Sequence, residues 1–336
     1  MSPGHGAAPP GHGAAPPGPV RTVVVELLSP VAAPVGRIVA VRERVEASLP
    51  FRWDLATPDQ LGSMLAGTAE PNLWFVDDLV ECAGRTLARS GNGDLLFVGR
   101  SLDSMFDLLS GALAGVSTEQ RLARLPFSFA RRPIEAGGQR WRLPALTAGQ
   151  RAAARRVLTE LGVTPQALAR RNRPVVFVDV VWEGSTFTEL FNLLDEWVIE
   201  AREPWDVVRR KLRFVGVTRR LKTSPKTWRW QQHAGWARRL PARAVVNVSL
   251  DRTVWSYLGD HQTKLTRSFR PDRWHLPDDG PNREDETRQA LAEAVALVGY
   301  GRSPLGRRGL AKAIAGEPAL AEPWLRSLAR QLNGPA

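Results

Sequence analysis

Residues 174–190 (Pro-Val-Val-Phe-Val-Asp-Val-Val-Trp-Glu-Gly-Ser-Thr-Phe-Thr-Glu-Leu) restrict the fold more than any other stretch of this chain. Val175 to Val178 make an unbroken apolar run, the pattern of a strand buried on both faces, as in parallel sheets covered by helices. The run delivers a carboxylate, Asp179, at its C-terminal edge. A short loop, Val180 to Ser185, precedes a helix. Open parallel sheets bind ligands just beyond the carboxyl ends of their strands. The N-terminus of the following helix adds unpaired N–H groups and the positive end of a dipole, both suited to a phosphate. Gly184 lets backbone approach a ligand closely, and Ser185 and Thr186 supply hydroxyls. Thr186 with Glu189 three residues on also has the spacing of a capping box. The expected fold class is α/β, a mainly parallel sheet flanked by helices.

A second segment repeats the order strand, tight loop, helix. Asp94 to Val98 is the strand, Gly99-Arg100-Ser101 the loop, and apolar residues at 102, 105, 106, 108, 109 and 113 follow one helical face. Arg100 can fork onto a pair of pyrophosphate oxygens, a task that suits a planar guanidinium. On the plainer reading Gly99 makes a turn and Ser101 caps the helix. Two such units in order, about 80 residues apart, point to a shared ligand crevice.

The stretch around Asp179 resembles the ribose-phosphate motif of the type I phosphoribosyltransferases. That motif is a strand of four apolar residues, two acids, two apolar residues, a Thr/Asp-rich pair, Gly, any residue, then Thr or Ser. Registered on Gly184 and Thr186, its second acid falls on Asp179 and its apolar pair on Val180 and Val181. The first acid is replaced by Val178, and Trp182-Glu183 stands where the family has its Thr/Asp pair. The resemblance implies phosphoribosyl pyrophosphate as substrate, with magnesium bridging pyrophosphate and ribose hydroxyls. Asp179 would steady the ribose, touching the metal only indirectly. Glu183, Gly184, Ser185 and Thr186 would line the ribose-phosphate site, and Gly99, Arg100 and Ser101 the pyrophosphate site. Asp179 and Arg100 would be the catalytic pair. A carboxylate beside a 5-phosphate repels it, so Glu183 is expected to turn outward. The family's mobile lid maps onto the Gly/Pro/Arg-rich connection 121–149, and residues 243–250 are expected to be another core strand, leading into its acceptor hood. There Trp255, Asp260 and Lys264 would read the acceptor. The alternative is a non-catalytic protein of the same fold that senses a nucleotide or holds nucleic acid.

Charge is concentrated in one region. Between 201 and 275 there are 18 Lys plus Arg against 5 Asp plus Glu, whereas the whole chain carries a net +12. Everything outside that segment is therefore close to neutral. Six of the twelve tryptophans are there too, and cations interleaved with aromatics suit nucleic acid or a nucleotide. A packed, tryptophan-rich subdomain fits the same composition. The single cysteine, Cys82, excludes an intramolecular disulfide. No apolar run approaches the ~20 residues of a bilayer span, and the N-terminus lacks the pattern of a signal peptide, so a cytoplasmic protein is expected. The seven residues 4–10 recur as 11–17 in a Gly/Pro/Ala arm. The expected division is an arm over 1–20, a phosphoribosyltransferase-like domain over 21–275 with strands at 22–27 and 37–45, and a C-terminal helical appendage over 276–336. Further expectations are an amphipathic helix over 72–89, a helix capped by Thr147 and Gln150, and a core strand over 211–218.

Overall fold

The computed structural model describes residues 49–334, apart from 119, 132–133, 136–140, 143, 277–279 and 282–283. The expected arm and the strands at 22–27 and 37–45 lie outside the described residues, as do eight residues of the expected lid. Helix α1 (Val76–Arg89) leads into β1 (Asp94–Val98), α2 (Asp103–Leu113) and β2 (Leu122–Leu125). A two-stranded antiparallel ladder, β3 (Ile134–Glu135) with β4 (Trp141–Arg142), precedes α3 (Ala148–Glu160) and α4 (Pro165–Arg170). Then come β5 (Val175–Val180), α5 (Ser185–Glu200), α6 (Trp205–Val208), β6 (Leu212–Arg219), β7 (Val245–Leu250) and α7 (Arg252–Ser256), which runs into a π-helical turn, Tyr257–His261. Three more helices follow: α8 (Asp285–Arg302), α9 (Pro304–Ala315) and α10 (Pro323–Asn333).

Five strands form one sheet in the order β2-β1-β5-β6-β7, and every neighbouring pair is parallel. The chain builds leftward from β1 to β2, then crosses back to build rightward from β5. The switch point therefore lies between β1 and β5. The two directions put their helices on opposite faces, as right-handed crossovers require. On one face Val176 and Val178 pack with Met105, Leu108 and Leu109 of α2. On the other, Val175 and Phe177 pack with Phe187, Leu190 and Phe191 of α5. Burial on both sides explains the unbroken apolar run.

Several expectations are corrected. Strand β2 falls inside the connection 121–149 read from the sequence as a lid, because four residues in an arginine-rich stretch show no usable periodicity. Strand β7, read from the sequence as another core strand leading toward a hood, is a core strand as expected, the fifth of the main sheet. Helix α5 starts at Ser185 with Gly184 as its N-cap, so Thr186 and Glu189 do not form a capping box. The capping box at Thr147 and Gln150 is present, with both reciprocal bonds. The helices beyond 284 do not stand apart: Leu297, Leu310, Ile314, Leu325 and Leu332 share a core with β1, β5, β6 and β7. Among the described residues no helix is long and apolar enough to cross a membrane.

Candidate functional site

Strands β1 and β5 are direct neighbours, with Phe97 opposite Val178. The loops that leave them, at Gly99 and at Val181, therefore emerge side by side at the carboxyl edge of the sheet, on the switch point. Gly99 has φ 72° and Gly184 has φ 80°, the left-handed region that glycine enters without strain. Gly99 donates its N–H to the Leu125 carbonyl at 2.9 Å, which fixes the first loop against β2.

Asp179 lies at the base of this edge. Its side chain shares a face with Val175 and Phe177, beside Gly216 of β6, and the residue is 6% exposed. Burial pushes its carboxyl well above the ordinary range, against the opposing pull of the Val180 backbone. Among the described residues no cation accompanies it. The wall on one side is Trp230, which is fully buried. A Cβ on Gly216 would sit 2.7 Å from the Trp230 Nε1, and one on Gly184 would collide with the Trp230 ring. Both glycines are thus required by the indole they receive. Trp230 Nε1 donates to Asn247 Oδ1 at 2.8 Å, and Asn247 Nδ2 donates to the Trp228 carbonyl and to Gln231 Oε1 at 2.9 Å each, so the wall is held in place.

The loop residues divide by exposure. Val181 is buried; Trp182, Glu183 and Ser185 are exposed, and Thr186 is half-buried. Glu183 is thus turned to solvent, leaving the first turn of α5 without a carboxylate beside its N–H groups. No side chain caps that turn. Arg131, from the connection read as a lid, reaches α5 and pairs with Glu189 at 2.9 Å. Its Nε and Nη1 are buried with no hydrogen-bond partner. Sequence reasoning grouped Arg131 only with the loop and assigned it no role; its exchange with α5 spans 58 positions and leaves no local signal.

On the facing loop, Arg100 donates to the Thr266 carbonyl. Burial lowers its pKa, Asp103 opposes that, and the guanidinium groups of Arg124 and Arg270 lower it further. Ser101 does not cap α2; the N-cap is Leu102, with no side-chain bond. Asp103, the first residue of α2, is held by Arg124 of β2 at 2.8 and 3.0 Å. Asp107, one turn on, is held by Arg52 at 2.8 and 2.6 Å. These two buried pairs fix the start of α2, and neither was anticipated.

The three residues read as an acceptor site do not converge. Trp255 is buried and donates Nε1 to the Val217 carbonyl at 2.9 Å. Asp260 is exposed on the π-helical turn. Lys264 turns inward, donating to the Leu258 carbonyl at 2.7 Å and to Gln262 Oε1 at 2.6 Å, and burial lowers its pKa to about 8. Gln262 in turn donates to Ser104 Oγ at 2.6 Å and to Glu293. This cluster is a tie between α2, α8 and the chain after the π-helical turn. Most of the tryptophans of 201–275 are likewise structural: Trp230 and Trp274 are fully buried, Trp236 and Trp255 nearly so. Trp228 is the exposed one, at 41%.

The magnesium implied by the resemblance finds a poor donor set. Among the described residues no three His, Cys, Asp or Glu side chains gather. Val178, at the position of the family's first acid, packs into the core of the opposite face. One carboxylate without a second does not fit a protein-held magnesium ion. No protein-family model, curated protein or solved structure matches the chain.

Proposed function

We propose that this chain binds a phosphorylated ribose at the crevice between the loops at 99–101 and 181–186, on a sheet of phosphoribosyltransferase-like type. The observation that carries the proposal is Asp179: a carboxylate sunk at the switch point of a parallel sheet with no cation among the described residues to balance it. A buried charge without a partner costs stability, and such residues concentrate where a ligand completes the site. Vicinal hydroxyls of a ribose would donate to Asp179 and favour its ionised form. The phosphate would lie at the uncapped first turn of α5, on backbone N–H groups and the Ser185 hydroxyl. The outward Glu183 supports this placement.

Binding is favoured over transfer. Val178 in place of an acid, and the lone carboxylate, leave magnesium without the support that phosphoribosyl transfer resembling the family's would call on. Arg100 would have to exchange the Thr266 carbonyl for a pyrophosphate oxygen. The test is thermal unfolding with ribose 5-phosphate, nucleoside monophosphates and phosphoribosyl pyrophosphate, the last with and without magnesium. At a ligand concentration ~100 times the dissociation constant, the gain should be about 2.7 kcal/mol. Unphosphorylated ribose should give far less. Absence of any shift with all phosphorylated ribose ligands would overturn the reading. Steady release of pyrophosphate from phosphoribosyl pyrophosphate, abolished in Asp179→Asn, would establish transfer instead.

A further inference from the structure

Beside the switch point, the carboxyl ends of β6 and β7 open into a separate cleft of about 680 Å³ lined by Arg219, Arg220, Leu221, Lys222, Lys226, Asp251 and Arg252. Five cations face a single acid. Asp251 is already engaged as the N-cap of α7, accepting from the Thr253 N–H at 2.8 Å. Arg220 has distant partners in Asp78 and Glu81 of α1, at 3.7 and 3.6 Å. Among the described residues no carboxylate is paired with Arg219, Lys222, Lys226 or Arg252. Elsewhere in the basic segment Arg209 pairs with Asp206 and Arg239 with Asp195.

Aromatic surface borders the cleft. The Arg219 guanidinium lies 3.8 Å over the Trp182 ring and 5.5 Å from that of Trp255. Trp182 nevertheless remains 51% exposed. Trp228, also exposed, donates Nε1 to the Trp182 carbonyl at 2.7 Å and stacks against His233. Two tethered indoles thus stay open to water next to four uncompensated cations. Large exposed aromatics are costly in a surface that has no use for them.

We propose that this cleft binds single-stranded nucleic acid, with Lys222, Lys226 and Arg252 on successive phosphates and Trp182 and Trp228 as platforms for unpaired bases. Cations alone would suit any polyanion. The indoles select for bases, and a base in a duplex has no free face to offer them. Arg219 has a positioning role: by stacking on Trp182 it holds the indole at the mouth of the cleft and adds charge beside it. This site shares the loop of Trp182 with the crevice but does not use Asp179, and it does not rest on the ribose-phosphate reading.

The test is a fluorescence anisotropy titration of the full chain with labelled DNA and RNA strands of about 12 nucleotides, and with the corresponding duplex. Single strands should bind more tightly than duplex. With the three phosphates on Lys222, Lys226 and Arg252 neutralised, the slope of log affinity against log salt should be about −2. The Lys222→Glu/Lys226→Glu variant should lose most of the affinity, and Trp182→Ala and Trp228→Ala should each weaken it by about tenfold or more. All four residues are exposed, so unchanged circular dichroism and melting should accompany each loss. Asp179→Asn should leave strand binding intact, which separates this site from the crevice. Duplex bound as tightly as single strands, or both tryptophan variants binding like the parent, would reduce the cleft to a general polyanion surface and overturn the proposal. So would unaltered affinity in the charge-reversed variant.

Discussion

Asp179 sets up a conflict between stability and binding at a single position. In the unfolded chain its carboxyl titrates near the ordinary value of about 3.9; in the fold, burial raises it. Between those two values the folded state holds the extra proton. Stability from this group is therefore complete below the unfolded value and is lost as pH rises through the folded one. Asp179→Asn should remove that loss. Its melting temperature should exceed the parent's at pH 7.5, and the difference should close toward pH 4. The same variant should fail to bind ribose 5-phosphate. Glu183 offers the complementary measurement. It is exposed, and a carboxylate near the α5 N-terminus repels a phosphate only weakly from there. Glu183→Thr should hold ribose 5-phosphate as tightly as the parent or more so, by titration calorimetry. A loss of affinity would show that Glu183 accepts hydrogen bonds from the ligand.

At the scale of elements, sequence and structure agree where the signal is local. The strands β1, β5 and β6, the helix after each of the first two, and the Thr147 cap are all written in a few consecutive residues. The α1 helix was read four residues too long at its start, since nothing between 72 and 75 breaks the apolar spacing. What stayed hidden depends on distant partners. Gly184 was legible as a loop residue, but not the Trp230 ring it accommodates 46 positions later. Arg219 sits at the end of a recognisable strand, yet its stack on Trp182 joins two loops that share no pattern. The docking of α8 on α2 is of this kind. A Cβ on Gly111 would strike the Val298 carbonyl, and one on Gly301 would strike the Leu108 carbonyl. The two backbones meet with no side chain between them at these points. Gly301→Ala should force them apart and cost roughly 1–3 kcal/mol, as overpacking does. Denaturant unfolding should show a lower midpoint with an unchanged slope.

For the whole molecule, the two faces of the sheet are completed by different parts of the chain. One face is closed by α3, α5, Trp230, Trp236, Phe269 and Trp274, all within residues 94–274. The other has α1 and α2 but also needs Leu297, Leu310, Ile314, Leu325 and Leu332 from α8–α10. A chain ended after 275 would leave the outer sides of α1 and α2 uncovered, a hydrophobic surface larger than soluble monomers tolerate. Such a truncation should be recovered as aggregate, whereas the full chain should elute as a discrete species on gel filtration.

The same asymmetry has a consequence in time. A ribosome lays down β7 before any of the three helices that pack over α1 and α2. For the span of synthesis from residue 275 to 333, the nascent chain carries a sheet covered on both faces but with the outer sides of α1 and α2 open to water. Domains that wait in this way are exposed to misassembly while they do. The backbone-close glycines of α2 and α8 then act late, as a latch: α2 is made early but gains its full set of neighbours only when Gly301 arrives. Translation speed across the codons for residues 275–333, more than the stability of the finished fold, should therefore govern how much of this protein reaches its native state.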